Sequence, residues 1–186
     1  MDPERNRVCP VELADSLDSK VRRWLQNPQS ILSPFVKEGM RVLDVGCGPG
    51  FFSIEIARMV GRTGTVVSVD MQQGMLDKLR SKITGTGLES RIQLVKCDQD
   101  ALKVNGQFDF ILTFYMVHEV PDKNSFFRQL RNLLADNGQY LLVEPKLFHV
   151  SRDEFEATTR LAETNGFSVG RGPKLLASWS AILTNS

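Results

Sequence analysis

The segment Val42-Leu43-Asp44-Val45-Gly46-Cys47-Gly48-Pro49-Gly50 carries the clearest chemical pattern in the chain. Branched apolar residues run into three closely spaced glycines, directly before a helix-like stretch from Phe51 to Val60. A glycine-rich turn between a first strand and a first helix lies at the carboxyl edge of an α/β sheet, where ligands bind. Glycine permits positive φ and removes the Cβ that would hold a ligand off the backbone. Spacing then decides between ligands. A dinucleotide loop has its third glycine three residues after its second, where a pyrophosphate rests on the helix N-terminus. Here that position is Phe51, and Gly50 comes one residue too early. A phosphate-cradling loop ending in Gly-Lys-Ser/Thr would need a lysine that this segment lacks. Asp44, two residues before Gly46, would repel a pyrophosphate but suits a ligand with a cationic or ammonium end.

Other reactive residue types stand at the ends of strand-like runs. Val66-Val67-Ser68-Val69 ends in Asp70, which lies 26 positions after Asp44, and Val95-Lys96-Cys97 ends in Asp98. A strand-end carboxylate can accept two parallel hydrogen bonds from a ligand's hydroxyls, and Asp in this position also serves as a helix N-cap. His118 and Glu119 suggest acid–base or metal chemistry, but neighbours on a helix point about 100° apart and do not converge easily. Cys9, Cys47 and Cys97 are odd in number, widely spaced and form no C-x-x-C pair, so they read neither as a disulfide framework nor as a zinc site.

These residues need a scaffold, and the apolar pattern supplies one. Strand-like runs fall at Arg41–Val45, Thr65–Val69, Ile92–Val95, Phe108–Thr113 and Gln139–Val143. Met75, Leu76, Leu79 and Ile83 recur at helical spacing, as do Phe126, Leu130, Leu133 and Leu134. Asp122 after Pro121 reads as a helix start and Asn137-Gly138 as its stop. Ser151-Arg152-Asp153-Glu154 has capping-box spacing ahead of a helix through Ala162. Gly166 to Leu183 reads as two strands joined by a turn around Gly170-Arg171-Gly172-Pro173. Strands alternating with helices imply right-handed crossovers and a mostly parallel sheet covered on both faces. The terminal hairpin adds an antiparallel strand near one edge. Residues 1–35 stand apart as a helical appendage, with Leu17, Val21, Trp24 and Leu25 on one stripe and Pro28 opening a second short helix.

Composition narrows the function classes. In 186 residues, 23 Lys+Arg against 22 Asp+Glu give a formal charge of +1, which removes the global argument for nucleic acid or an anionic membrane. At 41% hydrophobic residues the chain is an ordinary globular domain rather than a disordered one. Its longest uncharged apolar run, Phe110 to Val117, is far short of the roughly 18 residues of a membrane span. The charged N-terminus has no apolar segment behind it, so a cytoplasmic domain is expected.

Leu43-Asp44-Val45-Gly46-Cys47-Gly48-Pro49-Gly50 closely resembles the first motif of the class I, Rossmann-like S-adenosylmethionine-dependent methyltransferases, small single-domain type. The remaining family motifs follow in order as Val66–Met71, Val95–Gln99, Phe108–Phe114 and Leu133–Pro145. The resemblance implies a three-layer α/β sandwich whose seven-stranded, mostly parallel sheet has the order 3-2-1-4-5-7-6, strand 7 being antiparallel. It implies a cofactor-binding domain over residues 36–186, with the appendage lying over the active-site edge.

It also implies site residues for S-adenosylmethionine, which leaves as S-adenosylhomocysteine. Asp44, Gly46, Cys47, Gly48 and Gly50 would hold its methionine end, Asp70 its ribose, and Met71, Cys97, Asp98 and Gln99 its adenine. The backbone at Thr113 and Phe114 would border the methyl group. On the acceptor side stand Tyr115, His118, Lys146 and His149, with no general base assigned and no metal expected. A small-molecule acceptor is the expectation, the acceptor itself and the oligomeric state being unspecified. Three alternatives remain open: a cofactor-binding subunit of a complex that methylates protein, a metalloid methyltransferase using the three cysteines, and an NAD-binding oxidoreductase, which the glycine spacing disfavours.

Overall fold

A computed structural model describes residues 26–146 and 150–186. The expected appendage stripe through Trp24, together with Cys9 and His149, therefore lies outside the described residues. In chain order the elements are α1 (Pro28–Leu32), β1 (Arg41–Val45), α2 (Ser53–Met59), β2 (Thr65–Asp70), α3 (Gln73–Ile83), β3 (Ile92–Lys96) and β4 (Phe108–Phe114). A short 3₁₀ turn (Val117–Glu119) follows, and then α4 (Lys123–Leu133), β5 (Leu134–Pro145), α5 (Arg152–Thr164), β6 (Phe167–Arg171) and β7 (Ser178–Asn185).

The seven strands form one sheet in the order β3-β2-β1-β4-β5-β7-β6. β1 lies at its centre, parallel to β2 and β4 with Val42 opposite both Val66 and Phe110, whereas β7 runs antiparallel to β5 and β6. The architecture implied by the resemblance is the one observed. Alternation along the strands builds the layers, because successive side chains point to opposite faces. Val42, Val66, Phe110, Leu112 and Leu141 pack beneath α1, α2 and α3, while Leu43, Val67, Ile111, Tyr140 and Leu142 pack against α4 and α5. A parallel sheet buried on both faces explains why its central strands read as nearly continuous apolar runs.

Local chemistry fixes most element ends. Asn27 caps α1 by accepting from the Ser30 N–H, ahead of Pro28 at the first helical position. Asp122 caps α4 by accepting from the Ser125 N–H at 3.0 Å. Ser151 and Glu154 form the full capping box that starts α5.

One boundary differs from expectation. Asn137-Gly138 does not stop α4: the helix ends at Leu133, and both residues lie inside β5. Between the Phe108–Leu134 and Phe110–Gln139 pairs, β4 advances two residues and β5 advances five, so the intervening residues of β5 bulge out of the ladder. Gly138 is required by close approach, since a Cβ there would lie 2.9 Å from the Phe108 carbonyl oxygen. The sequence signal was a true break in regular structure, but the break belongs to the strand.

Candidate functional site

The carboxyl ends of β1, β2, β3 and β4 open into a cavity of about 550 Å³. That volume falls within the roughly 300–1,000 Å³ of small-molecule sites. The glycine loop forms its floor. Gly46, Gly48 and Gly50 have φ of 71°, 53° and 88°, a left-handed conformation that side-chain-bearing residues rarely adopt.

The three glycines do different work. A Cβ on Gly48 would meet nothing within 4 Å and would project into open space at the cavity wall. A Cβ on Gly46 would lie 2.9 Å from Met116 Cγ, and one on Gly50 would lie 2.2 Å from Leu79 Cδ1. Gly50 is thus a packing glycine that lets α3 approach the loop, and it does not line the cavity.

The loop's backbone donors are already committed within the protein. The Gly46 and Cys47 N–H groups donate to the Val69 carbonyl, Gly50 N–H donates to the Cys47 carbonyl, and Gly48 N–H donates to Asp70 Oδ2 at 2.9 Å. A pyrophosphate would find no free amide from Gly46 to Gly50. The charge points the same way. Asp44, Asp70, Asp98, Asp100, Glu119 and Asp122 line the cavity, and among the described residues no Lys, Arg or His does. Such a wall disfavours phosphates and suits a cationic ligand.

Asp44 is 2% exposed, and its Oδ2 accepts from Ser53 Oγ at 2.5 Å. This ties the end of β1 to the start of α2. Asp70 ends β2 at 8% exposure, accepting from Gly48 N–H and, through Oδ1, from Gln72 N–H, each at 2.9 Å. Burial raises its pKa, against the opposing pull of those amides. Met71, Cys97, Asp98 and Gln99 continue the wall, with Asp98 paired to Lys103 at 2.6 Å. Cys47 and Cys97 are free thiols, both buried. Burial, then the nearby carboxylates, raises the Cys47 pKa well above its usual range, and burial followed by Asp70 pushes Cys97 up to about 11. Both therefore stand protonated near neutral pH, which weighs against a thiolate metalloid site. Among the described residues no cluster of His, Cys, Asp and Glu could hold a metal.

The acceptor-side residues separate. Phe114 and Tyr115 reach the cavity, their rings 4.5 Å apart, and Tyr115 takes a φ of 63°. Gln26 Nε2 donates to the Tyr115 hydroxyl at 2.6 Å, and that hydroxyl meets Ser178 Oγ at 2.5 Å, bridging the front segment to β7. Ser178 Oγ itself donates to the Leu176 carbonyl, so the phenol proton goes to Ser178. Thr113 does not reach the cavity: its side chain is fully buried and bonded to the Tyr140 hydroxyl at 2.8 Å. Lys146 lies away from the cavity, its ammonium 4.4 Å from the Trp179 ring centroid. His118 also stands outside the lining, and its strong partner is Glu144 on β5 rather than Glu119 beside it.

Several cavity residues had no sequence signal of their own. Met116, Ser125 and Gln129 meet the site only through the fold. Gln129 illustrates why: its Oε1 accepts from Leu102 N–H and its Nε2 donates to the Asp100 carbonyl, holding the loop after β3 against α4.

The comparisons with known proteins agree with this geometry. A family profile described as "Methyltransferase domain" matches residues 36–180. A demethylmenaquinone methyltransferase of Lactobacillus johnsonii is 34% identical over 110 residues, covering 59% of this chain and 45% of its own length. The ubiquinone/menaquinone biosynthesis C-methyltransferase UbiE of Pseudoalteromonas translucida is 29% identical over 149 residues, covering 80% of this chain and 57% of its own. The chain thus spans about half the length of these curated relatives. A crystal structure of a SAM-dependent methyltransferase from Aquifex aeolicus superposes with a TM-score of 0.83 at 24% identity, covering 95% of this chain and 98% of that one, which shows a shared fold.

Proposed function

The chain belongs to the class I S-adenosylmethionine-dependent methyltransferase family, and from that premise we propose that it transfers a methyl group to a small-molecule acceptor. The observation that carries this reading is the cavity itself, with its amides internally satisfied and its wall lined by carboxylates. The donor set fits the cofactor. Asp70 accepts from the ribose hydroxyls, Met71, Asp98 and Gln99 face the adenine, and Asp44 and the glycine backbone border the ammonium-bearing end. The open face of Gly48 admits the ligand where a side chain would exclude it.

When bound, S-adenosylmethionine supplies a methyl group already activated on a sulfonium. The protein's share is therefore alignment, which contributes about 7–11 kcal/mol where reacting atoms are held in line. Phe114 and Tyr115 wall the transfer region with aromatic surface that excludes water. Tyr115 contributes its ring face, its hydroxyl being engaged with Gln26 and Ser178. That bridge places Gln26 beside the residue proposed to wall the transfer region. The relatives named for quinone biosynthesis favour an acceptor of modest size with an apolar body.

The test is transfer of an isotopically labelled methyl from S-adenosylmethionine across phenols, small thiols, amines, arsenite and cell protein. The expected result is label in a small molecule, with the purified chain sufficient. Label confined to protein would overturn the small-molecule reading. Turnover only after a second protein is added would favour a cofactor-binding subunit instead.

A further inference from the structure

Among the described residues, three other than glycine take a positive φ: Lys103 at 56°, Tyr115 at 63° and Ala177 at 54°. A left-handed backbone costs a side-chain-bearing residue free energy, so it persists only where its surroundings impose it. Lys103 closes the loop that follows β3, and the six residues before it, Cys97 to Leu102, all line the cavity. Lys103 itself does not line it. Its ammonium instead reaches back to Asp98 Oδ2 at 2.6 Å.

The rest of the loop explains why the backbone turns there. Asp98 N–H donates to the Ala101 carbonyl at 2.9 Å, which folds the loop back on itself. Gln129 of α4 accepts from Leu102 N–H at 3.0 Å and donates to the Asp100 carbonyl at 2.8 Å. Leu102 is buried in the core, and Val104 packs against the same cluster. The chain is thus pinned on both sides of Lys103, and the left-handed turn between these apolar anchors returns its side chain to Asp98. That side chain is 51% exposed, so burial does not account for a lysine where glycine would meet no strain. The ion pair with Asp98 does.

We propose that Lys103 is a positioning residue for the base of the cofactor: its ammonium holds the Asp98 carboxylate at the cavity wall, oriented to accept from an exocyclic amine. The proposal rests on the methyltransferase reading, in which Asp98 faces adenine, and deepens it by assigning how the base is selected. A carboxylate has about four acceptor positions, so binding Lys103 through Oδ2 leaves capacity for an amine N–H. Fixing the carboxylate in advance removes rotamers that binding would otherwise have to freeze. The pair is half-exposed, so its effect is that of an ion pair open to solvent rather than of a buried one.

Calorimetric titration of the full chain with S-adenosylhomocysteine, and with its analogue carrying unsubstituted purine in place of adenine, measures this selection. The analogue lacks the exocyclic amine. The wild type should bind it at least about tenfold more weakly, through loss of one charge-assisted hydrogen bond. K103M removes the ammonium and keeps the left-handed strain, whereas K103G removes both. Each should cut the affinity ratio about threefold to fivefold, while K103R keeps it. K103G should melt no lower than K103M, so that a ratio lost in K103G does not come from a weakened fold. Three results would overturn the proposal: a ratio in K103M as large as the wild type's, a ratio that grows because the ammonium had competed with the base, or a loss that follows the melting midpoint across the variants. If the wild type does not bind S-adenosylhomocysteine, the methyltransferase reading falls and the proposal with it. Binding with a ratio unaltered by K103M overturns the proposal alone.

Discussion

Gly48 and Gly50 stand two residues apart, share positive φ and do opposite work. Gly48→Ala meets no neighbour, so it costs the roughly 1–2 kcal/mol of a left-handed side-chain-bearing residue and obstructs the cavity. Gly50→Ala adds a clash with Leu79 to the same strain, and overpacking typically costs about 1–3 kcal/mol more. Thermal melts beside titrations with S-adenosylhomocysteine should give a modest loss of stability with a large loss of affinity for Gly48→Ala. Gly50→Ala should show the larger loss of stability. Equal stability losses would show that the loop's packing is misread. At this scale the sequence exposes type and spacing but not partners. Asp44 and Asp70 were legible because carboxylates at strand ends stand out from apolar surroundings. The tie from Asp44 to Ser53 and the pairing of His118 with Glu144, 26 positions away, depend on the fold. Lys146 shows the converse: a basic residue near the same edge lies over the Trp179 ring.

Elements were legible where local chemistry settles their ends. The capping box at Ser151 is such a case, since N–H groups of a first turn need an acceptor whatever the tertiary context. Ser151→Ala removes the side-chain acceptor for the Glu154 N–H, and should lower stability by about 1 kcal/mol. Chemical denaturation reads this as a shifted midpoint at constant slope, and no shift would mean that α5 is held by packing alone. Asn137-Gly138 marks the limit of such reading. The same pair that ends a helix also suits a bulge, and only the register against Phe108 and Phe110 distinguishes them. Tyr115 shows a similar limit, because its left-handed backbone is imposed by the turn that carries Glu119 into the cavity wall.

For the whole molecule, alternation of strands with helices predicted a mostly parallel two-faced sheet, and the ordered motifs implied where each strand lies. The neutral overall charge conceals an asymmetry: the carboxylates concentrate at one cavity that, among the described residues, no basic side chain lines. Among those residues no helix is long and apolar enough to cross a membrane. The glycine-loop wall of the cavity was legible because the motif residues at the ends of β1 and β2 build it directly. The wall formed by Phe114–Met116 and Glu119–Asp122 was not, because the turn after β4 has no spacing that carries a chemical signature. The central claim is that this cavity takes a cationic nucleoside cofactor and not a dinucleotide. Calorimetric titration with S-adenosylhomocysteine and, separately, NAD tests it most directly. Binding of the first and not the second is predicted, with Asp70→Ala weakening binding by about 1.5–3 kcal/mol as a charge-assisted hydrogen bond is lost. Binding of NAD without S-adenosylhomocysteine, or an affinity unchanged in Asp70→Ala, would contradict the account.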